Sequence, residues 1–281
     1  MPSATTLMTV AGPHRAPAHN DTTAMAVGKA PVVDMRAVVD RSFSEPGLAE
    51  LYDAFCQGRP DFDFYLPLVM SAEAVLDVGC GTGELLRLAR ESHHAGRLCG
   101  LDPAAAMLDQ ARLCSEVEWI LGDLTSARWD REFDLVVMTG HAFQVLVQDD
   151  EIRASLATIG SALVDDGCFV FETRNPLVRE WEKWIPDNAV EIVSTDGAVV
   201  RMAHEVETPV ENELVRFRTT YTSPGWDRPQ VSRSTLRFLD ADSLLVLLSG
   251  ADLVIEEQFG DWDRGPLTDA SPEIITIARR A

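Results

Sequence analysis

Residues 75–86 decide the fold, and they read Val75-Leu76-Asp77-Val78-Gly79-Cys80-Gly81-Thr82-Gly83-Glu84-Leu85-Leu86. This order predicts a buried strand, a glycine loop and the start of a helix. The glycines at 79, 81 and 83 let the backbone turn sharply and come into contact with a bound molecule, which a Cβ atom would block. A dinucleotide loop is spaced G-x-G-x-x-G, whereas this loop is spaced G-x-G-x-G and is preceded by Asp77. An acid at that position favours a cationic ligand over a pyrophosphate.

A second apolar segment, Leu98-Cys99-Gly100-Leu101-Asp102, predicts a short strand that ends in an acid. Pro103 follows it at the expected first position of a helix, because proline is favoured there. An acid at the carboxyl end of a strand can accept both hydroxyls of a ribose. The two segments together therefore predict a site for a nucleoside-containing ligand.

The motif D-x-G-x-G-x-G after a hydrophobic strand resembles the first signature of the class I S-adenosylmethionine-dependent methyltransferases, and the match is complete at Asp77, Gly79, Gly81 and Gly83. The resemblance covers residues 45–281 approximately. It implies S-adenosyl-L-methionine as cofactor and S-adenosyl-L-homocysteine as product. It also implies that Asp123, after the third strand, meets the adenine amino group, although a Gly-Asp pair is equally typical of a simple turn.

The rest of the chain alternates strands and helices, which predicts parallel strands with right-handed crossovers. We expect an α/β fold with a Rossmann-like doubly wound sheet of seven strands, the last antiparallel, and an antiparallel β insertion after strand five. The resemblance implies the strand order 3-2-1-4-5-7-6. The expected strands of the sheet lie near 74–78, 97–101, 117–120, 134–139, 168–173, 253–258 and 273–278, and the expected helices between them near 83–92, 104–113, 150–164 and 241–248.

Five segments follow from this pattern. We expect a disordered tail, an N-terminal helical lid, an S-adenosylmethionine-binding core, an antiparallel β cap and a C-terminal part of the core sheet, over residues 1–32, 33–73, 74–186, 187–239 and 240–281 respectively. The lid is expected to contain one helix that opens at Ser44-Glu45-Pro46 and closes at Gly58-Arg59-Pro60, and a second near 62–70.

The net charge and the cysteines of the chain exclude several classes of partner and site. The formal net charge of -21 repels phosphate backbones and anionic membranes, so we expect no nucleic-acid and no membrane partner. Five cysteines without C-x-x-C spacing indicate reduced thiols in a cytoplasmic protein and no metal site. The expected partner is a small-molecule acceptor, and the protein is expected to be a monomer or a homodimer.

The resemblance implies a set of cofactor-binding residues along the carboxyl edge of the sheet and in the lid. Two of them, the lid tyrosines, are also typical of core packing in amphipathic helices, and for the cysteine a need for a small side chain is a simpler explanation than a reactive thiol. The set comprises Tyr52, Tyr65, Asp77, Gly79, Cys80, Gly81, Gly83, Asp102, Pro103, Met107, Gly122, Asp123, Leu124 and Thr139.

The residues that follow strands four and five should face the transferred methyl group, because ligands of open α/β sheets bind beyond the carboxyl ends of the strands. His141 is the candidate catalytic residue, since an imidazole that titrates near neutrality can accept a proton from a hydroxyl or an amine. Positioning the acceptor is the alternative role. Gln144 and Arg174 are expected to orient the acceptor, and Trp181, with Trp184 on the same helix face, to line its pocket; ordinary structural roles remain open for all of them.

These features indicate a methyltransferase that acts on O, N or C of a small organic acceptor, with secondary metabolism as the candidate setting. Two other classes stay open: a catalytically inactive cofactor-binding protein with a regulatory or assembly role, and a nicotinamide-dependent oxidoreductase, which the glycine spacing disfavours.

Overall fold

The computed structural model describes residues 39–281. The expected tail, residues 1–32, lies outside the described residues, as do residues 33–38 of the expected lid. Eight α-helices lie within the described part of the chain: α1 Arg41–Ser44, α2 Pro46–Ala49, α3 Tyr52–Phe55, α4 Pro60–Ser71, α5 Glu84–Glu91, α6 Ala105–Ala111, α7 Asp149–Ala162 and α8 Ala241–Ser249.

A seven-stranded sheet forms the centre of the protein. Its members are β1 Ala74–Val78, β2 Arg97–Asp102, β3 Glu118–Leu121, β4 Phe133–Met138, β5 Leu163–Arg174, β10 Leu253–Phe259 and β11 Glu273–Arg280. The strand order is β3-β2-β1-β4-β5-β11-β10, and β11 runs antiparallel to both of its neighbours. The expected order 3-2-1-4-5-7-6 and the expected Rossmann-like fold are therefore confirmed.

The sheet is held by apolar layers on both of its faces. Alternate residues of β1 separate onto the two layers, with Leu76 in the layer under α7 and α8 and Val75 in the layer under α4 and α5. Both side chains are fully buried, as expected for a parallel strand that is covered on both faces. Asp77 is on the same strand, and its burial in this environment is therefore a consequence of the fold.

A second sheet covers the carboxyl edge of the first. It contains β6 Val190–Val193, β7 Val199–Val206, β8 Leu214–Thr222 and β9 Gln230–Arg237, all antiparallel and in sequence order. The antiparallel β insertion that the sequence predicts after strand five is therefore confirmed. We call this sheet the cap.

The first helices differ from the expected single helix over 44–58. Three four-residue helices occupy residues 41–55 instead, because α1 ends before Pro46 and the residues that follow pack on two different surfaces. Leu48 packs on the cap beside Tyr221, whereas Ala49 packs on α6 beside Met107. Pro60 begins α4 and does not close the helix before it, in keeping with the preference of proline for a first helical turn.

Hydrogen bonds join this N-terminal segment to the cap. The Ser42 amide donates to Ser232 Oγ at 3.0 Å, and the Tyr221 hydroxyl donates to Ser42 Oγ at 3.1 Å. Helices α1–α3, which we call the lid helices, therefore contact both the core and the cap. Among residues 39–281, no helix is both long and apolar enough to cross a membrane.

Candidate functional site

The glycine loop after β1 has the backbone that its sequence requires. Gly79, Gly81 and Gly83 have φ angles of +72°, +56° and +75°, a region that side chains with a Cβ atom adopt at a cost. The Gly79 amide donates to the Leu101 carbonyl at 2.8 Å, and the Gly81 amide donates to Asp102 Oδ2 at 2.8 Å. The loop is thus tied to the end of β2, which brings the two expected ligand-binding segments together.

The third glycine of the loop has a packing role. A Cβ atom on Gly83 would lie 2.2 Å from the Trp119 ring, and one on Gly100 would lie 2.5 Å from the same ring. Trp119 is fixed in this place by a hydrogen bond of 2.8 Å from its Nε1 to the Cys114 carbonyl. Sequence reasoning missed Trp119, because neither its type nor its position belongs to the motif.

Asp77 is the buried acid of the site. Its side chain is 1% exposed, and within residues 39–281 neither carboxyl oxygen has a hydrogen-bond partner. Burial, assisted by the neighbouring negative charge of Asp102, raises the pKa of Asp77 to about 7. A buried acid without a partner is energetically costly, so a cationic ligand would be stabilised next to it.

Asp102 lies at the end of β2, as expected. It accepts hydrogen bonds from the amides of Gly81 and Ala104 at 2.8 and 2.7 Å, and burial raises its pKa although these two bonds oppose the shift. Helix α6 begins at Ala105, so Pro103 precedes the helix and does not occupy its first position, because Asp102 turns the chain there. Met107 is buried beneath the lid helices, and its Cε lies 3.1 Å from the place of a Cβ on Gly81.

The remaining residues of the expected cofactor set fall into two groups. Cys80 and Thr139 line the cleft beside the glycine loop. After β3, Asp123 Oδ1 accepts hydrogen bonds from the amides of Thr125 and Ser126, both at 2.9 Å, which supports the reading as a turn. Leu124 is buried in the apolar layer under α7, with Gly122 just before this turn.

The two lid tyrosines occupy different environments. Tyr52 lines the cleft, packs edge-to-face on Phe43 with ring centres 6.0 Å apart, and has a pKa raised by burial. Tyr65 is fully buried and is not among the cleft-lining residues, because its hydroxyl donates to Glu172 and its ring packs on Phe64. The sequence predicts both as cofactor contacts, but the structure places only Tyr52 beside the cleft.

Arg59 is a cleft residue that sequence reasoning missed. Its Nε donates to Asp61 Oδ1 at 2.9 Å, and its guanidinium stacks over the Phe62 ring at 4.3 Å. It is the basic member of the cleft lining, which comprises Tyr52, Arg59, Phe62, Asp77, Gly79, Cys80, Gly81, Thr82, Glu84, Leu85, Thr139 and Gly140.

His141 follows β4 at the carboxyl edge and is held at two points. Its backbone amide donates to Glu172 Oε1 at 2.7 Å, and its Nε2 lies 2.9 Å from Glu273 Oε2. The backbone has a φ of +62°, a left-handed conformation in which histidine is enriched among non-glycine residues. Two acids from separate strands, Glu172 of β5 and Glu273 of β11, thus determine where the imidazole lies.

The environment of His141 changes its titration. Burial, together with the charge of Arg174, lowers the pKa of His141 to about 3, whereas burial raises the pKa of Glu273 to about 8. The expectation that this imidazole titrates near neutrality is therefore wrong. At neutral pH the imidazole is thus uncharged and the Glu273 carboxyl group is largely protonated, so a single shared proton lies in the bond between Nε2 and the carboxyl group, and the second ring nitrogen keeps its own hydrogen.

The expected acceptor residues lie next to this pair. Gln144 is buried, and its Oε1 accepts from Arg174 Nη1 at 3.0 Å. Trp181 is buried against Val215 of the cap, so its contacts in the structure are those of a core residue. The helix predicted to carry both tryptophans is only a 3₁₀ turn, Glu180–Lys183, with Trp184 just beyond its end.

Comparison with known proteins agrees with this geometry. Residues 75–167 match the family model described as a methyltransferase domain. This segment holds β1 to β4, the glycine loop, Asp102 and His141. The expected resemblance to class I S-adenosylmethionine-dependent methyltransferases is therefore confirmed for this segment.

Three proteins illustrate the likeness. The trans-aconitate 2-methyltransferase of Shigella flexneri is 24% identical over 225 residues, which cover 75% of this chain and 87% of that protein. The CcbJ methyltransferase from Streptomyces caelestis has a TM-score of 0.69 at 19% identity, covering 86% of this chain and 100% of that one. CalS10, an amino pentose methyltransferase from Micromonospora echinaspora solved with SAM bound, has a TM-score of 0.63 at 20% identity, covering 82% and 97%. At these identities the structural likeness shows the fold.

Proposed function

We propose that this protein transfers a methyl group from S-adenosyl-L-methionine to O, N or C of a small organic acceptor. The observation that carries the proposal is the cleft in which the unpartnered Asp77 lies beside a glycine loop fixed by Asp102. The relatives support it, since one is named for trans-aconitate and another for an amino pentose, both small molecules. We extend the proposal to a cytoplasmic enzyme with no nucleic-acid partner.

The residues present fit the cofactor. S-adenosylmethionine carries an ammonium and a sulfonium group, and Asp77 supplies the negative charge that such groups need. Gly79 and Gly81 line the cleft in left-handed conformations, which glycine adopts at little cost. We assign the ribose hydroxyls to Asp102 and the methionyl carboxylate to Arg59, which lines the cleft. Thr139, Met107 and Asp123 complete the proposed contacts.

The chain's own residues would position the reactants. The bound cofactor supplies an activated methyl group on sulfur, and its transfer requires an in-line approach of the acceptor atom. Alignment and exclusion of water therefore provide much of the acceleration. We propose that residues 33–73 act as a lid over the cofactor and residues 187–239 as the cap over the acceptor. His141 would lie between them, with Glu273 holding Nε2 so that Nδ1 is the nitrogen left for the acceptor.

Calorimetry and methyl-transfer assays test the proposal. We expect the full chain to bind S-adenosylhomocysteine and not NAD, and to transfer label from methyl-labelled cofactor to a member of a broad panel of small acceptors. Binding of NAD alone would favour the oxidoreductase. Tight binding of S-adenosylhomocysteine with no transfer across the panel would favour the non-catalytic cofactor-binding protein.

The pKa of Asp77 predicts a pH-dependent cofactor affinity. Because the pKa in the free protein is raised to about 7, the carboxyl group is largely protonated below that pH and ionised above it. Only the ionised form stabilises a cation, so we expect the affinity for S-adenosylmethionine to rise as pH increases through 7, by up to about tenfold per unit below the pKa. Calorimetry at several pH values between roughly 5.5 and 8.5, a range that spans this pKa, measures the change in affinity.

An Asp77→Asn variant serves as the comparison, because it keeps the shape without the charge. We expect it to bind weakly and without this pH dependence. Asp109→Asn, at an exposed acid of α6 paired with Arg112, is the control and should behave as wild type. An Asp77→Asn protein that retains the full pH dependence would show that another group is responsible.

Removal of Asp102 should weaken the cofactor complex. Asp102→Ala takes away the proposed acceptor for two ribose hydroxyls and also frees the Gly81 amide. We expect the affinity for S-adenosylhomocysteine to fall roughly 10- to 100-fold, since a hydrogen bond to a charged group contributes about 1.5–3 kcal/mol. Asp102→Asn keeps one acceptor oxygen and should lose less. Equal affinities by calorimetry for wild type and Asp102→Ala would refute the ribose assignment.

A further inference from the structure

In the part of the chain that the structure describes, Arg174 is a basic side chain without an acidic partner at close range. Its Nη1 donates to Gln144 Oε1 at 3.0 Å, and its Cζ lies 5.3 Å from the centre of the Trp184 ring. Its register partner on β11 is Glu273, yet that carboxyl group bonds to His141. Within residues 39–281, no acid oxygen lies within 4.0 Å of the Arg174 guanidinium.

Among the described residues, this arrangement leaves most of the guanidinium's N–H donors without a protein acceptor. The group has five N–H donors in a fixed planar fork, and Gln144 supplies a single neutral acceptor. Burial lowers the pKa of Arg174, and the acids around it, with Glu273 the largest influence, do not offset that effect. A partly buried cation in this condition is costly unless a ligand brings the anion.

The direction of the guanidinium is itself fixed. Gln144 Nε2 donates to the Arg237 carbonyl at 3.1 Å, which turns Oε1 of the same amide toward Arg174. The amide is buried, so this orientation is not lost to solvent. Gln144 thus acts as a support for Arg174, in the way that outer partners orient the groups that touch a ligand.

An aromatic surface adjoins Arg174 on the cap side. The rings of Trp184 and Phe217 have centres 4.9 Å apart, and His204 packs edge-to-face on Phe217 at 5.7 Å. His204 Nδ1 lies 3.0 Å from Thr219 Oγ1, and burial followed by the charge of Arg174 lowers the pKa of His204, which disfavours its charged form. The surface can therefore pack the carbon skeleton of a ligand whose charged end meets Arg174.

We propose that Arg174 binds a carboxylate of the methyl acceptor, so that the acceptor is a small organic acid whose carbon skeleton packs on Trp184 and Phe217. A carboxylate matches the planar fork with two parallel hydrogen bonds. A single guanidinium balances one negative charge, which favours a carboxylate over a dianionic phosphate. The inference rests on the proposed function, because Arg174 adjoins His141 through Glu273 at the edge where the methyl group would be transferred.

Binding of matched acids and amides tests this assignment without knowledge of the natural acceptor. The full chain is saturated with S-adenosylhomocysteine, and ligand-observed NMR then compares benzoate with benzamide and trans-cinnamate with cinnamamide, each at millimolar concentration. Trans-aconitate and inorganic phosphate complete the probes. We expect the acids to bind and the matched amides to bind at least about tenfold more weakly.

Two arginine variants make the result specific. Arg174→Gln should weaken acid binding roughly 10- to 100-fold, and Arg174→Lys should weaken it less because the charge remains. Arg179→Gln is the matched control, since Arg179 also stacks over a tryptophan, at 5.8 Å from the Trp181 ring, but is exposed and paired with Glu182. It should bind the acids as wild type does.

Several outcomes would overturn the proposal. These are equal binding of acids and amides, no acid binding, unchanged acid binding in Arg174→Gln, or a preference for phosphate over every acid. If Arg174→Gln does not fold, the comparison of acids with amides on the wild-type protein still decides. A wild-type protein that binds S-adenosylhomocysteine but shows no acid preference would refute this inference alone, whereas failure to bind S-adenosylhomocysteine would refute the proposed function.

Discussion

Replacement of Gly81 by valine is expected to abolish measurable cofactor binding while leaving the central sheet intact. The backbone at Gly81 has a φ of +56°, which a β-branched residue adopts only with strain, and a Cβ there would lie 3.1 Å from Met107 Cε. Relief of this strain moves the Gly81 amide away from Asp102 and the side chain into the cleft. A loss of about 3 kcal/mol of binding free energy already corresponds to a more than 100-fold weaker complex.

A matched control separates this effect from general backbone strain. Gly197 has a φ of +85° in the turn between β6 and β7, with nothing within 4 Å of its Cβ position. Gly197→Val imposes similar strain away from the cleft, so it should lower stability and leave affinity for S-adenosylhomocysteine unchanged. Calorimetry and far-ultraviolet circular dichroism measure the two quantities. Normal binding by Gly81→Val would mean that this loop does not hold the cofactor.

The central sheet can be predicted from the sequence because the patterns that indicate its strands are local. Val75 and Leu98 belong to short apolar runs that end in turn residues, and such runs alternating with helical patterns define parallel strands. The lid helices are harder to predict from the sequence. The spacing of apolar residues from Leu48 to Phe55 is that of one helix, but some of these side chains pack on the cap and others on α6. This division depends on tertiary packing, which local periodicity does not reveal.

The same distinction separates the expected site residues from those that were missed. Asp77 and Asp102 belong to a motif with fixed spacing, which a single sequence displays. Glu273 lies 132 residues beyond His141 and reaches it only because β11 inserts beside β5. Glu172 was visible at the end of strand five, but its bonds to Tyr65 and to the His141 amide depend on the packing of α4.

The pairing with Glu273 also changes how His141 would act as a base. Near neutrality the shared proton is on Glu273, which donates it to Nε2. The neutral imidazole then carries its own hydrogen on Nδ1, so Nδ1 cannot accept a proton from the acceptor. Loss of the shared proton leaves Nε2–H donating to an ionised carboxylate and frees Nδ1. Because the pKa of Glu273 is raised to about 8, this base-competent form becomes dominant only as pH increases through that value. The rise of kcat/KM with pH is therefore expected above the pH range in which a free imidazole titrates.

His141→Gln is accordingly expected to lower the methyl-transfer rate about 10²- to 10⁴-fold, the usual contribution of a general base, with cofactor affinity retained. In the wild type, kcat/KM should rise with pH through a limb near 8, and this limb should be absent from both His141→Gln and Glu273→Gln. Since glutamine is less suited than histidine to the φ of +62°, His141→Asn provides a variant that tolerates that backbone and also lacks the ring.

The alternative role for His141 gives a different pattern. If His141 only positions the acceptor, His141→Gln should mainly raise the acceptor KM, and the limb near pH 8 should persist in that variant. Glu256→Gln is the control for the loss of a carboxylate, because Glu256 is exposed and pairs with Arg279 on the far part of the sheet. It should leave the whole pH profile unchanged. Rates measured with the acceptor that the panel identifies distinguish the two roles, since only a base makes the rate constant and the pH limb disappear together.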